Sequence, residues 1–179
     1  MIVYYALVIA TCFERLAELA VTKRNAAWSF ARAGVETGRG HYPPMVVLHT
    51  GLLAGCLAEP ALAHRSFVPA LGVPMLVLAA GSQGLRWWCI RTLGPRWNTR
   101  VIVVPGLPLV DSGPYRWLRH PNYVAVVVEG FALPLAGSAW ITAAVFTVLN
   151  AALLTVRLRC EVRALAPGRT VSSGVGSRG

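Results

Sequence analysis

A succession of long apolar runs constrains this chain more than any other feature. Five runs occupy residues 2–22, 43–63, 67–90, 122–135 and 140–156, separated by segments rich in polar residues, glycine or proline. A helix needs about 20 apolar residues to cross the hydrocarbon core of a bilayer. Hydrophobic residues make up 55% of the chain and charged residues only 13%, which is unusual for a soluble domain. The sequence therefore predicts an all-α integral membrane protein with about five transmembrane helices.

Positive charge is concentrated in three segments. Residues 23–42 hold four Lys and Arg, residues 86–121 hold six and residues 157–179 hold five, which is 15 of the 17. With five spans these segments share one side, and the positive-inside rule makes that side cytoplasmic. We predict an outside N-terminus, a cytoplasmic C-terminus, one membrane domain over 1–166 and a disordered tail over 167–179. Topology thus explains the net charge of +10, and no nucleic-acid partner is expected.

Three charged residues interrupt the first apolar run. Glu14 and Glu18 are four residues apart, and Arg15 lies three residues before Glu18, so all three can interact on one helix. They form either a structural ion pair near the cytoplasmic end or the polar wall of an internal cavity, because charges inside membranes face inward and pair. The Arg-Trp-Trp sequence at 86–88 is typical of an interfacial belt.

The segment 91–121 contains too many helix breakers to span the membrane. Val101–Val104 and Leu107–Val110 flank a Pro-Gly turn, which predicts a short β-hairpin. The four cysteines are scattered through the chain without metal-ligand spacing, so no metal site is expected. Long loops with such polar chemistry commonly carry functional sites.

The end of this loop, Gly113–Tyr123, reads GPYRWLRHPNY and combines cationic, aromatic and polar groups between two apolar runs. Pro121 suits the first position of a helix, where its missing N–H is tolerated. His120 then lies just before a helix N-terminus, which can bind an anion or a polar cofactor. A simple basic membrane anchor is the alternative, but it would not need His120, Asn122 or Tyr123.

These residues carry a resemblance to a known family. Leu93-Gly94, Trp97, the GPYRWLRHPNY segment and the later Arg159-Cys-Glu161-Val-Arg163-Ala-Leu165 element resemble the isoprenylcysteine carboxyl methyltransferase family in type and order. Within that family, Glu14–Leu19 and Asn122–Gly130 are most similar to bacterial members associated with methylation of polyketide-derived alkylresorcinols and alkylpyrones. The resemblance covers roughly the last half of the chain.

The resemblance implies a cytoplasmic cofactor-binding loop for S-adenosylmethionine. Two positions depart from the family pattern: Ala125 replaces a common glycine, and Val162 replaces the usual second glutamate. Carried over by position, the expected cofactor-binding residues are Tyr115, Arg119, His120, Pro121, Tyr123 and Glu161. Arg119 and His120 suit the cofactor carboxylate, and Glu161 suits its cationic or hydroxyl groups.

Glu129, Arg157 and Asn122 are the candidate catalytic residues. Glu129 lies inside the fourth run, on the same helix face as Asn122. A carboxylate in an apolar environment can act as a base, which a phenol or enol acceptor needs and a carboxylate acceptor does not. We expect Glu129 either to take the acceptor proton or to make a structural hydrogen bond to a neighbouring helix.

The expected activity is S-adenosylmethionine-dependent O-methylation of a lipophilic acceptor, after a polyketide synthase, in the bacterial inner membrane. The acceptor could also be a phospholipid amine. The Arg-His-Pro-Asn-Tyr sequence at 119–123 also resembles one in membrane sterol reductases, which use a nicotinamide cofactor. A membrane protein that only binds partners is a third alternative, although it would not need His120, Asn122 and Glu161 together.

Overall fold

Five α-helices dominate the computed structural model, which describes residues 1–38, 40 and 42–165 with side chains up to Val162. The predicted disordered tail, 167–179, lies outside the described residues. The helices are α1 (Ile2–Phe30), α2 (Tyr42–Leu62), α3 (Pro69–Leu93), α4 (Pro121–Ala136) and α5 (Trp140–Leu165). Short 3-10 turns occupy Gly94–Arg96 and Gly113–Arg116.

Helix α1 extends well beyond the first apolar run. Its 29 residues reach Phe30, so the expected polar loop starting at residue 23 is wrong at its beginning. The extension is held by tertiary contacts, because the Asn25 side chain donates to the carbonyl oxygens of Gly94 at 3.0 Å and of Trp97 at 2.8 Å. At 1.5 Å per residue the helix is about 44 Å long, so it exceeds a hydrocarbon core of about 30 Å.

The predicted β-hairpin between Val101–Val104 and Leu107–Val110 is wrong. Strand β2 (Val101–Val103) pairs instead with β1 (Val35–Thr37) in an antiparallel ladder, with Glu36 opposite Ile102. Proline explains the difference, because Pro105 and Pro108 have no N–H to donate to a ladder. The ladder joins the α1–α2 connection to the long α3–α4 connection, and it lies beside the start of α2.

Helix α4 forms the centre of the bundle and packs against α3 and α5. Small residues allow this close approach, as expected where helices meet in lipid. A Cβ atom added at Gly130 would lie 2.2 Å from the ring of Phe146 on α5. The buried apolar cluster contains Tyr4, Val8, Leu52, Cys56, Ala79, Ala132, Leu133, Ala136 and Phe146.

The α4–α5 connection spans only residues 137–139, so the two helices form a tight hairpin. Glu59 from α2 stabilises the start of α5: its carboxylate accepts the backbone N–H groups of Ile141 at 3.1 Å and of Thr142 at 2.8 Å. An acidic side chain is favourable there because helix N-termini carry partial positive charge and unpaired N–H groups.

Within the described part of the chain, two helices are long and apolar enough to be candidate membrane spans, Tyr42–Leu62 and Trp140–Val162. Helix α4 is apolar but has only 16 residues, about 24 Å, which is shorter than the hydrocarbon core. The charged residues of α1 and α3 interrupt their apolar stretches. The all-α architecture is therefore observed, with a small two-stranded ladder that the sequence analysis placed between the wrong partners.

Gly130→Ala should lower the melting temperature of the detergent-solubilised protein, because the new methyl group would clash with the buried Phe146 ring. Overpacking a buried contact typically costs about 1–3 kcal/mol. Gly81→Ala is the matched control, since a Cβ added there meets nothing within 4 Å. A thermal shift assay that finds both variants as stable as the wild type would contradict the close α4–α5 contact.

Candidate active site

A cavity of about 170 Å³ lies between α1, α2, α4 and α5, with Arg86 of α3 also in its wall. Most of its wall is apolar, contributed by side chains such as Leu53, Val126 and Leu154. Its polar wall residues include Arg15, Glu18, His49, Arg86, Asn122, Tyr123, Asn150 and Arg157. A mainly apolar pocket with a few convergent polar groups is the usual form of a small-molecule site.

A four-residue charge cluster, Arg15, Glu18, Arg86 and Glu129, forms one wall of this region. Arg15 donates from one nitrogen to Glu18 Oε2 at 2.7 Å and from another to Glu129 Oε2 at 2.8 Å. Arg86 donates to the same Glu129 oxygen. The cluster connects α1, α3 and α4. Arg15 and Glu18 are paired with each other and also line the cavity, so both alternatives predicted for the charges of α1 hold together.

The environment of Glu129 differs from the one that the proton-acceptor hypothesis assumed. Its carboxylate accepts hydrogen bonds from Arg15, Arg86 and Gln83, the last at 3.1 Å, and it is not among the residues that line the cavity. Two guanidinium groups stabilise its charged form and occupy its lone pairs. These contacts are the ones that the alternative predicts, a structural link to neighbouring helices, and they favour it over a role of Glu129 in taking the acceptor proton.

Arg86 is a site residue that the sequence analysis missed. Its side chain is only 4% exposed, so the interpretation of 86–88 as an interfacial belt is wrong for this residue. Trp87 instead donates its indole N–H to Glu14 on α1. The spacing of Gln83 and Arg86, three residues apart on one helix face, was the available signal for an inward-facing polar strip.

A second cluster lies where α4 begins and α5 approaches its end, and it contains His120, Tyr123, Arg157 and Glu161. The Tyr123 hydroxyl donates to Glu161 and accepts from Arg157 Nε at 3.0 Å. The His120 and Tyr123 rings stack with centroids 5.3 Å apart, and His120 Nδ1 is 3.9 Å from Glu161 Oε1. Tyr123 and Arg157 also line the cavity, so this cluster borders the same space as the charged wall.

Three further candidates lie around this cluster rather than in the cavity wall. Pro121 is buried as the first residue of α4, as the sequence predicts, and Arg119 is exposed. Tyr115 interacts with the Cys89 thiol on α3, and burial raises the pKa of its hydroxyl. None of these three side chains lines the cavity.

Two buried polar atoms near the second cluster have no hydrogen-bond partner: Asn122 Oδ1 and Thr99 Oγ1. Both residues line the cavity. Buried polar atoms in proteins are nearly always paired, so such atoms in a cavity wall favour a polar ligand. The arrangement therefore combines polar contacts for a hydrophilic ligand with apolar walls for a lipophilic one.

Comparison of the sequence with known proteins identifies a family that includes the residues of the second cluster. The model of the isoprenylcysteine carboxyl methyltransferase (ICMT) family matches residues 73–167, just over half of the chain. The chain belongs to the isoprenylcysteine carboxyl methyltransferase family. The match includes α4, most of α3 and all the described residues of α5, and hence His120, Tyr123, Arg157 and Glu161.

Two bacterial relatives match over most of their length. The uncharacterized protein YpbQ of Bacillus subtilis is 36% identical over 165 residues, covering 90% of this chain and 96% of YpbQ. An uncharacterized protein of Haemophilus influenzae is 22% identical over 155 residues, covering 85% of this chain and 88% of that protein. Membership in the family indicates a membrane methyltransferase.

Glu129→Gln should destabilise the protein markedly, because it leaves two buried guanidinium groups facing a neutral amide. Breaking a buried ion pair from one side typically costs about 3–5 kcal/mol. We expect a lower melting temperature in a thermal shift assay, with Asp111→Asn in the exposed α3–α4 connection as the control. A stable Glu129→Gln protein would show that the cluster does not hold α1, α3 and α4 together.

Proposed function

We propose that the protein is an S-adenosylmethionine-dependent O-methyltransferase of the bacterial inner membrane that acts on a lipophilic hydroxyl or carboxylate compound. The observation that carries this proposal is the cavity. Its wall contains Tyr123 and Arg157, which contact Glu161, and it continues into apolar walls on α2 and α5. A polar methyl donor and an apolar acceptor need these two environments side by side.

The residues of the second cluster suit S-adenosylmethionine, which supplies an electrophilic methyl group on a sulfonium sulfur when bound. Glu161 offers a carboxylate to the cationic or hydroxyl groups of the cofactor. His120 and exposed Arg119 lie before the N-terminus of α4 and suit its carboxylate. The unpartnered Asn122 Oδ1 and Thr99 Oγ1 supply acceptors for its N–H or O–H groups.

Tyr123 links the two halves of the site. Its hydroxyl connects Arg157 to Glu161, which fixes the position of the carboxylate that we assign to the cofactor. Arg157 also donates to the sulfur of Met45 on α2 at 3.1 Å, so three helices meet there. Methyl transfer depends chiefly on alignment of the acceptor oxygen with the methyl group, and a rigid wall favours that alignment. We therefore assign Arg157, Asn122 and Tyr123 to the positioning of the reactants.

The acceptor that we favour is a polyketide-derived alkylresorcinol or alkylpyrone, made by a polyketide synthase and partitioned into the membrane. Its alkyl chain would lie along the apolar walls of the cavity, in contact with residues such as Leu53 and Leu154. Its hydroxyl would face the polar wall. An isoprenylcysteine-like compound would occupy the same space, with its isoprenyl chain along the apolar walls and its carboxylate toward the polar wall.

Binding of S-adenosylmethionine tests the proposal. Isothermal titration calorimetry on detergent-purified protein should detect binding, and His120→Ala should weaken it about tenfold or more by removing a charge-assisted contact. His64→Asn is the control, because His64 lies in the exposed α2–α3 connection and asparagine tolerates its positive φ of 48°. Binding of a nicotinamide cofactor instead would support the sterol reductase alternative.

The second arm of that experiment follows methyl transfer from radiolabelled S-adenosylmethionine. The acceptors are 5-pentadecylresorcinol, N-acetyl-S-farnesylcysteine and phosphatidylethanolamine, which represent a phenol, a carboxylate and an amine. We expect methylation of the phenol or the carboxylate. Methylation of the amine alone would show that the activity is phospholipid N-methylation and not O-methylation.

We also propose five membrane spans, with the N-terminus outside and the second cluster on the cytoplasmic side. The experiment uses intact cells that express a variant in which the four native cysteines have been replaced. In this background Ala63→Cys should react with a membrane-impermeant maleimide. Leu109→Cys should react only after permeabilisation. Both positions are exposed, Ala63 between α2 and α3 and Leu109 between α3 and α4, so they form a matched pair. Labelling of Leu109→Cys in intact cells would show that the protein has the opposite orientation in the membrane.

A further inference from the structure

Glu18 and Arg86 each have one buried polar atom without a hydrogen-bond partner, Glu18 Oε1 and Arg86 Nε. The two atoms are 3.5 Å apart, longer than the 2.7–3.2 Å typical of an N–H···O hydrogen bond. Both residues are only 4% exposed and both line the cavity. The two side chains thus form an ion pair that is too long for a hydrogen bond, so a polar group of an acceptor molecule could bond to both atoms at this wall.

The other carboxylates near this wall are already engaged. Glu129 accepts from three side chains, and Glu14 accepts from Trp87. Neither of them lines the cavity. Glu18 Oε2 accepts from Arg15 at 2.7 Å, which leaves Oε1 available. A hydroxyl group can donate to one atom and accept from another at once, so it matches the pair formed by Glu18 Oε1 and Arg86 Nε.

We propose that Glu18 is the general base for a hydroxyl acceptor and that the Arg86 Nε–H group stabilises the acceptor oxygen as it loses its proton. This inference rests on the proposed methyltransferase function and deepens it, because it assigns to the acceptor a hydroxyl that must be deprotonated. The terminal torsion of glutamate is broad, so the Glu18 carboxylate can turn toward the cavity while it stays paired with Arg15.

The step balances as a simple substitution. The hydroxyl proton moves to Glu18 Oε1, and an oxygen lone pair forms the new bond to the methyl carbon. The bond from that carbon to the sulfonium sulfur breaks, and its electron pair stays on sulfur as a neutral thioether. The products are the methyl ether, S-adenosylhomocysteine and a proton on Glu18, which then passes to water to restore the base.

The surrounding charges favour this proton transfer. The charged and titratable side chains around Glu18 are Glu14 and Arg15 on its own helix, His49 on α2, Arg86 on α3 and Glu129 on α4. Arg15 and Arg86 are the two cations next to the Glu18 carboxylate. When Glu18 takes the proton, the charge of this wall becomes more positive by one unit, which favours the negative charge that develops on the acceptor oxygen.

The test compares methylation of 5-pentadecylresorcinol in the wild type and in Glu18→Gln, which keeps the shape of the side chain and removes its basicity. We expect the rate at pH 7 to fall about a hundredfold or more, in the range usual for general-base catalysis. Binding of S-adenosylmethionine should be unchanged. Glu14→Gln, one turn earlier on α1 and outside the cavity wall, should retain the wild-type rate.

The pH dependence separates catalysis from structure. A phenol has a pKa of about 10, so without a base its reactive fraction rises about tenfold per pH unit between 7 and 9. The rate of Glu18→Gln should rise accordingly, while the wild-type rate stays nearly flat over that range. Methylation of N-acetyl-S-farnesylcysteine, where the wild type accepts it, should survive the substitution because a carboxylate needs no base.

Several results would overturn the assignment of Glu18. One is a wild-type rate with the phenol that itself rises tenfold per pH unit, and this measurement requires no folded variant. An unchanged rate of phenol methylation in Glu18→Gln would also overturn it. So would an equal loss of rate in Glu18→Gln with the phenol and with the carboxylate acceptor. A wild-type protein that binds S-adenosylmethionine but methylates no hydroxyl acceptor would have the same effect. Failure of the wild type to bind S-adenosylmethionine would instead overturn the proposed function itself.

Discussion

The burial of two arginines and two glutamates inside the helix bundle is the constraint on which the rest of the structure depends. Removing a charge from water costs several kcal/mol even after relaxation, so each of these groups must find a partner. Arg15 and Arg86 are bridged by Glu129, and Glu18 completes the cluster from α1. Because the partners come from three helices, the ion pairs restrict how α1, α3 and α4 can be arranged.

That arrangement also determines where the cavity lies. Helix α4 is short and central. Tyr123 and Val126 line the cavity, whereas the Glu129 carboxylate is covered by Arg15, Gln83 and Arg86 and does not reach it. The close contact at Gly130 brings α5 against α4, and Arg157 on α5 then reaches Tyr123 near the start of α4. The charge cluster and the cluster that we propose for the cofactor thus share one short helix, where Tyr123 and Glu129 are separated by about two turns.

The sequence predicts the helices well because apolar runs of about 20 residues have few alternatives in a bilayer. The resemblance to the family also assigns His120, Tyr123 and Glu161 to one site, and the structure brings their side chains together. The sequence does not predict the β1–β2 ladder, since the two strands have three residues each and are separated by helices α2 and α3. Pairing at that distance depends on how the bundle packs, which local patterns do not encode.

The unexpected environments of Arg86 and Glu129 have one cause. An arginine beside two tryptophans matches the interfacial pattern, and a glutamate inside an apolar run matches a reactive group, as long as each is considered alone. Each residue is the other's partner across α3 and α4, which only the packed structure reveals. Intramembrane charges that satisfy one another are structural, whereas a buried charged group with an unused atom in a cavity wall retains capacity for chemistry. By that criterion Glu18 rather than Glu129 retains capacity for the proposed proton transfer, because Glu18 Oε1 has no hydrogen-bond partner whereas Glu129 accepts from both arginines.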